Sequence, residues 1–247
     1  MFLKFWHKFK KAQRARALSE KPQVPTWDVL RARLREYLKH EKPEDFLNWD
    51  FIRYTMFHFA KPVELEYLKG TNDWPIWEKA IVETDVGNPP NNLNLIHQAY
   101  SLARYFEYYN GISEIKKIRS IAEIGGGYGC MRRLVHELGF RGRYVIYDLP
   151  EFLELQKYYL NRLNLPTVFT NVPEEVDGEL LIALWSVSEM PLEVRDLVLK
   201  NARHYLIAYQ DDFEGIDNDA YFLNFMRRNN GWREVISHLP NSRYLMW

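Results

Sequence analysis

Four glycines crowd into five positions of the segment Glu123-Ile124-Gly125-Gly126-Gly127-Tyr128-Gly129-Cys130, directly behind an acidic residue. Such a run lets the backbone pass close under a ligand and turn through positive φ. The flanking pattern predicts a strand before it and a helix after it, the context in which a glycine loop binds a cofactor. Asp148 ends the next predicted strand, where a carboxylate can accept from both hydroxyls of a ribose. The set points to a nucleoside-bearing cofactor. A dinucleotide site wants G-x-G-x-x-G, but here the third glycine, Gly129, comes one residue early and Cys130 holds its place. Glu123 would repel a pyrophosphate and attract a ligand ammonium.

Other residues can do acid–base work. Glu189 follows the fourth predicted strand on the ligand side of the sheet; it either takes a proton and holds a hydroxyl, or caps the helix from Leu192. His97 lies in the helix leading to the first strand and is the second candidate base. His238 precedes a turn near the end, and His136 lies in the helix after the glycine loop. Asp211 and Asp212 end the fifth strand; with Glu189 they offer oxygen ligands to a divalent cation, but adjacent acids also cap helices, and no metal is assigned. Cys130 opens a helix, which lowers a thiol pKa, yet no base partner is visible and it reads as packing. Trp74, Trp77, Tyr105, Tyr108 and Tyr109 either stack on an acceptor or fill the core.

Two kinds of sequence texture must position these groups. Residues 1–115 read as helices: Trp27–His40, Glu44–Phe59, Val63–Leu68, Ile76–Glu83 and about Leu95–Tyr109, the last capped by Asn92 or Asn94 after a Gly87-Asn88-Pro89-Pro90 loop. From residue 116 apolar strands alternate with helices. Strands are predicted at Ser120–Ile124, Arg143–Tyr147, Thr167–Thr170, Glu179–Trp185 and His204–Tyr209, with helices through Leu138 and at Glu151–Asn164, Leu192–Arg203 and Asn218–Asn229. Trp232–His238 and Arg243–Trp247 form a closing pair. This is an α/β, Rossmann-like, doubly wound sheet, mostly parallel with one antiparallel edge strand, behind a helical N-terminal region. Residues 1–115 serve as lid and acceptor pocket, and residues 116–247 as the cofactor domain.

The 247 residues carry no net charge, but residues 1–22 hold seven Lys or Arg against Glu20, and the remainder has 26 basic and 32 acidic residues. That balance excludes an overall nucleic-acid footprint. Residues 1–18 read as a basic helix with Phe2, Phe5, Trp6 and Phe9 on a stripe. It either packs on its own protein or meets an anionic membrane or a partner. Lys4 and Lys8 interrupt it, against a signal peptide. The single cysteine excludes an intramolecular disulfide and fits a cytoplasmic setting. No run of about 18 apolar residues is present.

The Glu-x-Gly-x-Gly-x-Gly spacing of Glu123–Gly129 resembles the first motif of class I S-adenosylmethionine-dependent methyltransferases. Tyr147-Asp148-Leu149-Pro150 resembles the D-L-P of small-molecule O-methyltransferases. Glu123–Leu160 and Leu184-Trp185-Ser186-Val187-Ser188-Glu189-Met190-Pro191 are similar to bacterial sugar O-methyltransferases. The resemblance implies S-adenosylmethionine as cofactor, with Glu123, Gly125, Gly126, Gly127 and Gly129 around its methionyl part. Asp148 would hold the ribose and Leu149 would pack on the adenine, with Trp185 and Ser186 beside them. The acceptor would be a hydroxyl of a sugar or glycan precursor, with another small molecule (a natural-product phenol or amine) or a non-catalytic nucleoside-binding or interaction role as alternatives. Plant phenol O-methyltransferases place a His-Asp pair before the Trp-Ser; here those positions are Ala183 and Leu184, which disfavours that route.

Overall fold

The computed structural model describes residues 27–56, 61–84, 89–200, 202–229 and 233–247. The basic stripe of residues 1–18 lies outside them. The chain divides into two compact units, residues 1–40 and 41–247. In the first, helix α1 spans Trp27–His40, as its leucine spacing predicts. In the second, the helices before the sheet and the sheet itself belong to one unit.

That unit opens with a short 3-10 turn, Pro43–Asn48, followed by α2 (Asp50–Met56), α3 (Pro62–Lys69), α4 (Trp74–Thr84) and α5 (Pro89–Tyr108). The expected continuous helix from Glu44 is instead broken at Trp49, whose backbone is extended. Packing explains the break. Phe46 meets the rings of Tyr158 and Tyr159, and Phe51 meets Phe152 on the same later helix. Five residues along one α-helix would point those two rings about 140° apart. Helix α5 starts at Pro89, six residues ahead of the expected Leu95, so Asn92 and Asn94 lie inside it and do not cap it. Proline suits a first turn, because its fixed φ is helical and its missing N–H is not needed there.

Strands β1 (Ser120–Ile124), β2 (Arg143–Tyr147), β3 (Val168–Thr170), β4 (Gly178–Leu184) and β5 (Ala202–Gln210) follow. They alternate with α6 (Cys130–Glu137), α7 (Pro150–Arg162) and α8 (Leu192–Val198). A two-strand hairpin, β6 (Asp212–Phe213) and β7 (Ile216–Asp217), leads to α9 (Asn218–Arg228), then β8 (Arg233–Ile236) and β9 (Ser242–Met246). The seven-stranded sheet has the order β3-β2-β1-β4-β5-β9-β8. The first five strands are mutually parallel. β9 alone runs against them, seated near one edge between β5 and β8. Helix α8 ends at Val198, short of the expected Arg203, because β5 starts at Ala202 to pair with Gly178.

One face of the sheet buries Ala122, Ile124, Leu181, Ala183 and Ile207 against Val198 of α8 and Phe222 and Phe225 of α9. On the other face the guanidinium of Arg132, on α6, lies over the Tyr144 ring, 5.3 Å from its centroid. Parallel strands put all their carboxyl ends on one edge, so the loops after β1, β2, β4 and β5 converge there. Among the described residues no helix is long and apolar enough to cross a membrane.

Candidate functional site

The glycine loop begins where β1 ends. Gly125, Gly127 and Gly129 all have left-handed backbones, with φ of 72°, 57° and 94°. Gly125 N–H donates to Tyr147 O at 2.9 Å, which ties the loop to the end of β2, and Gly129 N–H donates to Gly126 O at 2.8 Å. Space also dictates glycine. A Cβ on Gly125 would collide with Ser186 Cβ, whereas one on Gly127 would meet Met56 at ordinary distance, 3.5 Å from its Sδ. Ser186 closes the loop from the β4 side, its hydroxyl donating to Ile124 O.

Asp148 anchors the second arm. Its carboxyl accepts from Leu149 N–H at 2.8 Å and from Gln156 Nε2 at 2.7 Å, and also from the Gly126 and Gly127 backbone. The same Gln156 amide donates to Gly127 O at 2.9 Å. Glu123 is buried under the loop: a Cβ on Gly126 would stand 3.2 Å from its carboxyl, which accepts from Tyr144 OH at 2.8 Å. Burial pushes both carboxyls up, Glu123 to about 7 and Asp148 to about 7, and the Asp148 charge adds to the rise at Glu123.

Around the segment after β4 the structure builds a second cluster. Trp185 leaves the strand with φ of 64°, a conformation that costs a bulky residue energy and is held only by its surroundings. Its N–H donates to Ala208 O at 2.7 Å, and its ring packs on His97 at 4.8 Å and on Tyr244 at 5.9 Å. His97 Nδ1 donates to Glu64 Oε1 at 2.8 Å, and both residues are buried. His238 Nε2 lies 2.7 Å from the same Glu64 oxygen, and burial lowers its pKa. Glu64 also accepts from Lys61 N–H at 3.1 Å. Thus α3, α5 and the β8–β9 connection meet on one carboxyl.

Glu189 is half-buried and ends a 3-10 turn, Val187–Glu189; helix α8 is capped by Pro191, so Glu189 does not cap it. Gln210, at the end of β5, donates from Nε2 to Glu189 Oε1 at 3.2 Å.

The sequence-derived residues therefore fall into two groups. Glu123, Gly125, Gly126, Gly127, Gly129, Asp148 and Ser186 gather at the loop, with Leu149 next to Asp148. Trp185 turns toward His97. Elsewhere the structure selects between the alternatives the sequence leaves open. The thiol of Cys130 is pushed up to about 12 by burial, which outweighs the helix terminus. Asp211 pairs with Arg243 at 3.1 Å while Asp212 is exposed at the start of β6, so the two acids do not act together. Tyr105 is buried, with its ring stacked on Tyr109 at 4.4 Å; Tyr109 meets His204 near the start of β5, on the edge opposite the glycine loop. Trp77 is buried and lines a groove of about 480 Å³ with Glu66, Tyr67, Asp73 and Glu107. His136 binds its neighbour Arg141 through its carbonyl and takes no part. Gln156 and Glu64 were not anticipated. Gln156 is signalled only by its place eight residues beyond Asp148, two turns into α7; Glu64 carries no local signal at all.

No family model matches the chain, and no curated protein does. Solved structures do resemble it. Protein 1320 of Thermoplasma acidophilum is 11% identical, with a TM-score of 0.50, over 69% of this chain and 96% of that one. An rRNA methylase from Escherichia coli is 12% identical, with a TM-score of 0.43, over 94% and 95%. The pyocyanin biosynthetic protein PhzM is 13% identical, with a TM-score of 0.40, over 88% and 70%. At such identities the first likeness extends to the fold and no further.

Proposed function

We propose that this chain is an S-adenosylmethionine-dependent methyltransferase that methylates a hydroxyl of a sugar or glycan precursor. The observation that carries the reading is the junction of Asp148 with the glycine loop, at the carboxyl ends of β1 and β2. Left-handed glycines bare the backbone there, and two acids near neutral pKa stand ready to ionise beside a cationic ligand. That chemistry fits a sulfonium and an ammonium group better than a pyrophosphate.

When bound, the cofactor supplies an electrophilic methyl group and departs as a neutral thioether. Gly125, Gly126, Gly127 and Gly129 would hold its methionyl part, with Glu123 bracing the loop from below. Asp148 would accept from the ribose hydroxyls, and Leu149 would pack on the adenine. Ser186 keeps the loop closed against β4.

An alcohol is a weak nucleophile at neutral pH, and a positioned base typically contributes about 10²–10⁴-fold. Glu189, half-exposed on the same edge, is the first group for that proton, and His97, set by Glu64, is the second. The Leu184–Pro191 segment supports a sugar acceptor through its resemblance to sugar O-methyltransferases. Residues 23–247 carry six more acids than bases, which supports a small acceptor over RNA. The helices of residues 43–108 would cover the acceptor.

Mass spectrometry of the purified protein, followed by transfer of a labelled methyl group to a panel of nucleotide sugars and glycans, tests the proposal. Copurified S-adenosylmethionine or its demethylated product, with label on a sugar hydroxyl, is the expected result. Label that reaches RNA or protein and no sugar would overturn the acceptor assignment.

A further inference from the structure

The guanidinium of Arg195, on α8, is completely buried. Among the described residues no carboxylate pairs with it. A buried cation without an anion costs stability, so its presence calls for a use. Its donors show what the charge is used for. Nε donates to Met190 O at 2.9 Å and Nη2 to Ser188 O at 2.8 Å, the two carbonyls that bracket Glu189. Nη1 donates to Asn218 Oδ1 at 2.7 Å, and the guanidinium face lies 4.9 Å from the centre of the Tyr221 ring.

The other side of the segment is held as firmly. Ser188 Oγ is 2.6 Å from Trp185 O and 2.8 Å from Gln210 Oε1. The one hydroxyl proton is shared between these two acceptors, and the amide that faces it turns its Nε2 to Glu189 Oε1, at 3.2 Å. Hydrogen bonds to a carboxylate hold it in its charged form, the form a base requires.

We propose that Arg195 and Gln210 are positioning residues for Glu189: the arginine fixes the backbone on both sides of it, and the glutamine directs its carboxylate. The role rests on the methyltransferase reading, in which Glu189 takes the acceptor proton.

Arg195→Met keeps the volume and removes the donors. Hydrogen exchange read by mass spectrometry should then accelerate at least tenfold at the amides of Glu189 and Met190, which donate to Ser186 O and Val187 O. Exchange in β4 and β5 should stay as it was, while the acceptors left behind, Ser188 O, Met190 O and Asn218 Oδ1, lower the melting temperature by several degrees. Turnover should fall at least tenfold while KM for the cofactor is unchanged. Arg195→Lys, which cannot span both carbonyls, should show the same local acceleration. Native exchange at residues 189–190 in both variants would overturn the proposal, as would acceleration spread evenly across β4 and β5. Local acceleration in a protein that methylates nothing would count against the enzyme reading alone, because the exchange needs no acceptor. Gln210→Met should slow turnover and shift the acidic limb of its pH profile upward; an unmoved limb would remove the glutamine from the proposal.

Discussion

One amide of Gln156 reaches both Asp148 Oδ2, at 2.7 Å, and Gly127 O, at 2.9 Å, so a single side chain of α7 couples the end of β2 to the glycine loop. The side chain is fully buried. Gln156→Leu would strand an acceptor on each arm, and a buried unsatisfied group costs about 1–3 kcal/mol. Denaturant unfolding should show a loss of that size. Cofactor affinity, measured on the folded fraction, should fall further than it does in a surface variant of equal stability.

The two glycines at the loop's start should respond differently to a methyl group. Gly125→Ala places its Cβ against Ser186 and should destabilise the fold outright. Gly127→Ala meets only Met56 at an ordinary distance and carries the left-handed penalty of about 1–2 kcal/mol. Its melting temperature should drop by only a few degrees. On the proposed reading, in which the loop backbone holds the cofactor, affinity should nevertheless fall at least tenfold. Thermal melts beside calorimetry separate the two effects.

Glu123 and Asp148 give the ligand-free protein a defined pH response. Their folded values, each about 7, stand above the ordinary 4.5 and 3.8. Between those values the folded state binds more protons than the unfolded state. The stability these groups contribute is full below about pH 4 and is lost as pH rises toward 7. A cationic cofactor favours both carboxylates in charged form, so its binding near pH 6 should release protons. Calorimetry in two buffers of different ionisation heat reads that release directly. Each carboxyl that must ionise weakens affinity by up to about tenfold per pH unit below 7. Proton-neutral binding at pH 6 would contradict this account of the two acids, and Glu123→Gln should remove its share of the release.

The fold and the loop were legible in the sequence because their signals are local. Glycines at 125, 126, 127 and 129 between an apolar run and a helical period need no distant partner to be read, and neither does Asp148 at a strand end. What escaped depends on contacts far along the chain. Glu64 meets His97 only because α3 packs on α5, and His238 joins them only because β9 inserts beside β5. The break at Trp49 follows from where α7 presents Phe152 and Tyr159, and the left-handed turn at Trp185 from a hydrogen bond to Ala208 in the next strand. Tyr105 and Tyr109 have aromatic spacing that suits a pocket as well as a core, and only the burial of Tyr105 and the contact of Tyr109 with His204 near the start of β5 decide between them.

Glu189 and His97 compete for one role. Glu189→Gln keeps shape and removes the base, so turnover should fall about 10²-fold or more while cofactor affinity stays within a few-fold. Unchanged turnover would pass the role to His97. In that case His97→Gln should abolish turnover, and Glu64→Gln, which loosens the imidazole it holds, should lower it.

Isothermal titration with S-adenosylhomocysteine and, separately, with NAD tests the central claim most directly. The account predicts saturable binding of S-adenosylhomocysteine and none of NAD. Asp148→Asn should weaken the former by about 10–150-fold, the worth of one charge-assisted hydrogen bond of about 1.5–3 kcal/mol. Binding of NAD without S-adenosylhomocysteine would contradict it.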